Sequence, residues 1–268
     1  MTYEDSIKNY FTAYSKFLSV DLSVSLLDKK DKYFGRNITL IVLFQDLLIL
    51  LLGTKEIEGT DVENDRKILF NKLNLILQPY LEKNAEHLCT LKHGNIAQTL
   101  SGNSFYFDKL NDTFNTELLN NYYMSYKDFV SYSSKVKMDE DVRKKFELYN
   151  SDNIILVQSI LEFNNALSHI VASLYNNDND ALNNIGKATS HLYRGTLDHY
   201  KMLIRLVFMD SEKSIKTEIM DDFKELRHKE FEYLGLKVQD KDIDCDGKPV
   251  SILSCYKEMF SRMMMNVA

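Results

Sequence analysis

An all-α bundle of long helices is the fold predicted for this 268-residue chain, and three features carry the prediction. Breakers are scarce: there are 9 glycines and 2 prolines, where average usage would supply about 19 and about 13, too few for a turn-rich sandwich or barrel. Apolar residues recur at spacings of three and four over long stretches, which is the period of one helix face. Two strongly periodic segments, 153–175 and 180–209, are joined by Asn176-Asn177-Asp178-Asn179, a link short and rich enough in capping side chains to set them antiparallel as a central helical hairpin. With 44% hydrophobic and 27% charged residues the chain can bury a sizeable core.

Taken in order, Tyr3, Ile7, Tyr10, Phe11, Tyr14 and Phe17 line one face of a first helix, and Leu22 to Leu27 reads as a second, short one. Ile38 to Leu52 is apolar nearly all round, the pattern of a helix buried on all sides, and Gly53 ends it. Its 15 residues include Thr39, Gln45 and Asp46. That falls short of the roughly 20 apolar residues that span a bilayer, so a core helix and no membrane segment is expected. Another helix opens under Asp61, Glu63 and Asp65, acids that suit the positive end of the helix dipole. Pro79 is expected to break or kink it, with Tyr80 to Leu91 resuming the pattern. Gly94 to Ser104 concentrates loop residues and is the expected boundary between an N-terminal helical subdomain, 1–104, and a second bundle, 105–268. In the second, Phe107 to Lys135 and Met138 to Asn150 read as helices ahead of the hairpin. Ser211 to Leu234 follows it and stops at Gly235, where a left-handed cap is easily adopted. Residues 237–250 read as irregular or briefly hairpin-like, and Ile252 to Met265 as a closing amphipathic helix.

The hairpin carries the chemistry. At about 100° per residue, Lys187, His191, Arg194, Asp198, Lys201 and Arg205 fall within about 80° of one another, opposite a core face of Leu192, Tyr193, Leu197, Tyr200, Leu203, Ile204 and Val207. The preceding helix has its own polar stripe of Gln158, Glu162, Asn165 and His169. A fold near Asp178 sets Glu162 opposite Arg194, where a carboxylate accepts from the guanidinium fork. It sets Asn165 opposite His191, where an amide fixes the imidazole tautomer. Three meanings stay open: a polar layer that pins the register of two helices, a site where a proton carrier and phosphate-binding charge converge, or an exposed, solvated face.

The stretch His191-Leu192-Tyr193-Arg194-Gly195-Thr196-Leu197-Asp198-His199 contains Arg-x4-His. It resembles the signature of the HEPN superfamily, all-helical proteins whose motif is an arginine, four to six residues and a histidine. Glu162 to His169 is similar to the partner helix of such proteins, and the resemblance covers roughly residues 107–234. It implies a metal-independent endoribonuclease site, composite across a homodimer, in a cytoplasmic toxin or an effector of bacterial anti-phage defence. His199, or His191 in its place, would then be general acid or base on the ribose 2′-hydroxyl and the leaving oxygen. Arg194 would stabilise the transferring phosphate. Lys187, Lys201 and Arg205 would guide the RNA backbone, with Glu162, Asn165, His169 and Asp198 in support. The implied product is a 2′,3′-cyclic phosphate, with no cofactor and no metal. RNA, a second copy of the chain and a protein partner from a defence or toxin–antitoxin system are the implied partners. Where the family usually has a polar residue after the arginine, this chain has Gly195. On a straight helix His199 lies about 140° from Arg194, at the edge of the core face; a bend at Gly195 would narrow that angle. The alternative is that His199 is a satisfied boundary histidine and the chain a catalytically inactive helical interaction or scaffold protein on the same hairpin.

The formal charge of -6 argues against a surface coated in phosphate-binding cations, though not against a local basic patch. Cys89, Cys245 and Cys255 are odd in number and lack CxxC spacing, which fits free thiols in a reducing compartment, and Met1-Thr2-Tyr3-Glu4-Asp5 does not begin an export leader. Asp242 to Gly247 matches the first half of a calcium loop, but the bidentate position holds Leu253 and Pro249 interrupts the loop, so an acidic Asp-Gly turn is expected. His87, Cys89 and His93 lack a fourth ligand at metal-site spacing. Arg227-His228-Lys229 reads as a solvated charge run, and Met263-Met264-Met265 as adaptable packing or a dimer contact.

Overall fold

The computed structural model describes residues 2–24, 38–53, 59–88, 116–136, 138, 140–146, 148–150, 154–175, 178–232, 242–245 and 248–267. The chain is all-α: among the described residues, α-helices make the fold and two short β-ribbons interrupt it. It forms two compact units, Met1–Leu119 with Phe163–Thr189, and Asn120–Glu162 with Ser190–Ala268. The units are interleaved in sequence because each hairpin helix contributes to both. The expected boundary at 94–104 lies outside the described residues, as do Cys89 and His93 of the drawn metal cluster.

The first unit is built on α1 (Tyr3–Val24), α2 (Ile38–Gly53) and α3 (Thr60–Lys83). Thr2 caps α1: its hydroxyl oxygen accepts the Asp5 backbone N–H at 3.1 Å and the hydroxyl donates to Asp5 Oδ2 at 2.7 Å, which satisfies an otherwise orphaned donor of the first turn. α1 then runs unbroken to Val24, so the start of the short helix expected at Leu22 belongs to its last turn, and the remainder, 25–27, lies outside the described residues. α2 buries Ile38, Leu40, Ile41, Leu43, Phe44, Leu47, Leu48 and Leu51 on all sides, as its composition predicts. Tyr10, Tyr14, Phe17 and Phe44 pack ring against ring at 5.1–5.9 Å between centroids, two of the four pairs tilted and two edge to face, the latter an arrangement ring quadrupoles favour. Their polar ends are spent: Tyr10 donates to the Phe44 carbonyl at 3.1 Å, and Tyr14 lies 2.9 Å from the Asn164 carbonyl. α3 continues through Pro79. The carbonyl that loses its N–H partner belongs to Leu75, a residue 76% exposed, so water can replace the lost bond and the helix is not forced to stop.

In the second unit the expected helix at 138–150 is shorter. α5 covers Glu140–Lys145, after α4 (Thr116–Ser133), and Leu148–Asn150 is a strand, β1. It pairs antiparallel with β2 (Ile154–Leu156), Leu148 opposite Leu156 and Asn150 opposite Ile154. Short apolar runs around a polar Ser-Asp-Asn link suit a ribbon as well as a helix, and here the ribbon buries Ile155 and Leu156. The hairpin helices are α6 (Val157–Tyr175) and α7 (Asp178–Asp210). α8 (Lys213–Glu232) follows, then a second ribbon, β3 (Asp242–Cys245) with β4 (Lys248–Ser251), and α9 (Ile252–Val267). Asp242 pairs with Ser251 and Cys245 with Lys248, so the first four residues of the calcium-loop look-alike are one strand of an antiparallel ribbon, and the Asp-Gly pair expected to turn lies outside the described residues.

Candidate functional site

In the second unit the two hairpin helices meet in opposite order, Ser159 with Gly195 and Glu162 with His191 and Arg194. Glu162 Oε2 lies 2.5 Å from His191 Nδ1 and 3.3 Å from Arg194 Nε. Burial works to raise the Glu162 carboxyl, but the His191 hydrogen bond and the Arg194 charge outweigh it and hold it below the usual carboxylate range. The carboxylate is therefore ionised and can only accept, so His191 Nδ1 carries the proton it donates. Arg194 Nη2 lies 2.7 Å from that Nδ1 and 3.4 Å from Nε2, and with Nδ1 protonated Nε2 is the ring nitrogen that can accept from it. Glu162 is thus the group on Nδ1 of His191, where the sequence reading set the Asn165 amide. The side chain of Arg194 is half exposed, while those of His191 and Glu162 are 17% and 13% exposed.

His199 is elsewhere. It is fully buried, enclosed by the rings of Tyr122, Tyr126 and Phe129 at 5.3, 5.9 and 5.8 Å between centroids. Its Nδ1 is 2.9 Å from Ser125 Oγ and 3.3 Å from Ser159 Oγ. Both serine protons are already given to helix carbonyls, Ser125 to Tyr122 at 2.7 Å and Ser159 to Gly195 at 2.9 Å, so both oxygens accept and Nδ1 is the protonated nitrogen. Nε2 is then the unprotonated nitrogen, buried and with no hydrogen-bond partner among the described residues. Burial pushes the imidazole down to about 3, because a second proton would place a charge against three rings. Where the sequence sets His199 against a substrate, the structure places it in the interior: α4 covers the side of α7 on which it stands, and Arg194 faces outward.

Gly195 explains the close fit. α7 is helical on both sides of it, and the close approach of its neighbours requires the absence of a Cβ. A Cβ there would lie 2.7 Å from Tyr122 Cε2 and 3.2 Å from Ser159 Oγ. The Tyr122 ring is fully buried and its hydroxyl donates to the Ser159 carbonyl at 3.1 Å, so it cannot swing away. Gly195→Ala gains about 1 kcal/mol of helix propensity and loses about 1–3 kcal/mol to overpacking. A net loss near 1 kcal/mol is expected in urea melts, with Gly195→Val costing more; a gain in either variant would show that the contact yields.

Further along α7, Lys201 Nζ donates to Glu230 Oε1 of α8 at 2.5 Å, and Glu230 Oε2 accepts from Arg227 at 2.5 Å and from Tyr256 of α9 at 2.6 Å. Burial raises the Glu230 carboxyl, yet the Lys201 and Tyr256 hydrogen bonds hold it below the ordinary value. Lys201, expected to guide RNA, is committed to this junction with 14% of its side chain exposed. Arg227, read as part of a solvated run, is tied to the same carboxylate. The signals that could have found this junction were an acid three residues after Arg227 and a buried-face tyrosine in α9, neither specific alone. Asp198 is raised to about 6, first by burial and then by Glu162 and Glu230, against Lys201 and Arg205. Arg205 is exposed.

In the first unit, Lys187 is exposed and His169 Nδ1 donates to Asn184 Oδ1 at 3.0 Å. Asn165 lies there too, its carbonyl accepting from Ser168 at 2.8 Å. Among the described residues no group of His, Cys, Asp and Glu could hold a metal ion, and no helix is long and apolar enough to cross a membrane. No protein-family model, no curated protein and no solved structure matches this chain.

Proposed function

We propose that this chain is a catalytically inactive helical interaction protein, in which the hairpin resembling HEPN proteins holds its ionised residues as a register-setting layer. The position of His199 carries the reading: an imidazole with no exposed surface, held below the range of a general base at neutral pH, has no path to a ribose hydroxyl. The two serine hydroxyls beside it are spent on helix carbonyls, as expected of structure rather than of a site awaiting substrate. Arg194, Lys201 and Arg227 are each matched by a carboxylate.

A second reading has one observation behind it. His191 and Arg194 stand together with the guanidinium half exposed, and Glu162 orients the imidazole much as a carboxylate orients a catalytic histidine. In that reading endoribonuclease chemistry would use His191 in place of His199.

One assay separates the two. Total and defined single-stranded RNAs are incubated with the full chain in EDTA, beside His191→Gln, Arg194→Ala and His199→Asn. No cleavage above the buffer blank is expected from any of the four. Cleavage lost in His191→Gln and Arg194→Ala but kept in His199→Asn would overturn the interaction reading in favour of the second.

A further inference from the structure

Between α8 and α9, in the second unit, a groove of about 160 Å³ opens to solvent, floored by Ile219, Met259 and Met263 and edged by Glu218, Asp222 and Arg262. Met265 also lines it and stands 77% exposed at its mouth, while Met263 is buried at 5%. The space matches that of a cavity that admits one benzene-sized group, hence one leucine or phenylalanine side chain. Methionines make such a wall adaptable, since an unbranched thioether side chain reshapes around different anchors at little cost.

The charge at the rim has one sign to spare. Arg262 is neutralised by Asp222 at 3.0 Å, and on the same helix Asp221 pairs with Lys224 and Glu225 with Lys229. Glu218 is exposed and has no cationic partner among the described residues. An apolar slot with an unmatched carboxylate at its lip, on a chain of net charge -6, attracts a cation beside an apolar anchor and repels an acidic one.

We propose that this groove docks a cationic amphipathic segment of a partner protein, one large apolar side chain entering between Met259, Met263 and Met265 while a Lys or Arg beside it meets Glu218. The mode is a helix or turn laid in a groove. It names the partner class for the interaction protein argued above and rests on that reading.

The probe is a synthetic peptide of about 15 residues, with leucines at every third or fourth position among lysines, and an isomer in which every lysine is glutamate. Each is titrated into the full chain labelled at the methionine methyls. The lysine peptide is expected to shift Met259, Met263 and Met265, with binding about tenfold weaker for the glutamate isomer and about tenfold weaker for Glu218→Lys. Met265→Lys, a change at an exposed side chain, is expected to abolish the shifts while the far-UV circular dichroism stays unchanged. Equal binding of the two peptides, no binding, or shifts confined to other methyls would overturn the proposal. So would the same three methyls moving on concentration of the protein alone, which would mark a contact between copies. RNA cleavage in the assay above with the peptide still bound would remove the interaction reading and leave the groove; silence in both assays would remove the groove alone.

Discussion

Acidification from pH 7 to pH 4 is expected to remove about 3 kcal/mol of folding stability through His199 alone. In the unfolded chain the imidazole takes up a proton near its ordinary value of about 6.5; in the folded chain burial holds it down to about 3. Between those values the unfolded state binds the extra proton and the folded state does not, so stability falls as pH falls through that window and is fully present above it. Urea melts at pH 7, 6, 5 and 4 read the slope. His199→Leu is the control, because both serine hydroxyls keep the helix carbonyls they donate to and lose only one incoming N–H. Carboxylates such as Glu162 and Glu230 titrate in both proteins, so the difference between the two curves isolates the imidazole. The leucine variant is expected to lose less stability on acidification and to be the more stable protein relative to wild type at pH 4 than at pH 7. Parallel curves would mean that the folded chain accepts the proton and that the cage is open to water.

That outcome also marks the limit of a one-helix reading. The period of α7 alone places His199 at the edge of the core face and Arg194 on the polar stripe, and it pairs Glu162 with Arg194 across the hairpin. All of this follows from angles along one helix and the position of one link. What covers the edge is a different matter. Tyr122, Ser125 and Phe129 come from α4, more than seventy residues earlier for the Ser125 contact, and no spacing within α7 announces them. The same holds for Glu230 and Tyr256, which hold Lys201 in the junction of α7, α8 and α9. Gly195 is visible as an odd residue in mid-helix, but a bend and a close approach leave the same trace in sequence; the Tyr122 ring beside it shows the close approach. Helix existence was legible because breakers are few and apolar spacing long. The β1–β2 ribbon was not, since three-residue runs carry too little period to tell a strand from a helix turn.

Glu230→Ala is expected to cost about 3–5 kcal/mol, the range for leaving a partly buried charge unmatched, and more than Glu162→Ala. The two carboxylates are equally covered, each with 13% of its side chain exposed, so the difference lies in what each leaves behind. Removing Glu162 leaves one His191 N–H without its acceptor and strands Arg194, whose side chain is 52% exposed and can turn into water, so the charge is resolvated at little cost. Removing Glu230 strands Lys201 at 14% exposure together with the Tyr256 hydroxyl, and Lys201 lies 5.5 Å from the Tyr256 ring centroid, where it cannot easily withdraw. Glu230→Gln keeps an acceptor for Tyr256 and should lose less. Pairing Glu230→Leu with Lys201→Met removes both charges and should recover part of the loss, because replacing a buried ion pair by apolar side chains is often neutral. Equilibrium urea unfolding of the five proteins ranks them. If Glu162→Ala proves the costlier single change, the hairpin seam and not the α7–α8–α9 junction holds the second unit together, and the charged groups of α7 would have to be weighed afresh from Arg194 outward.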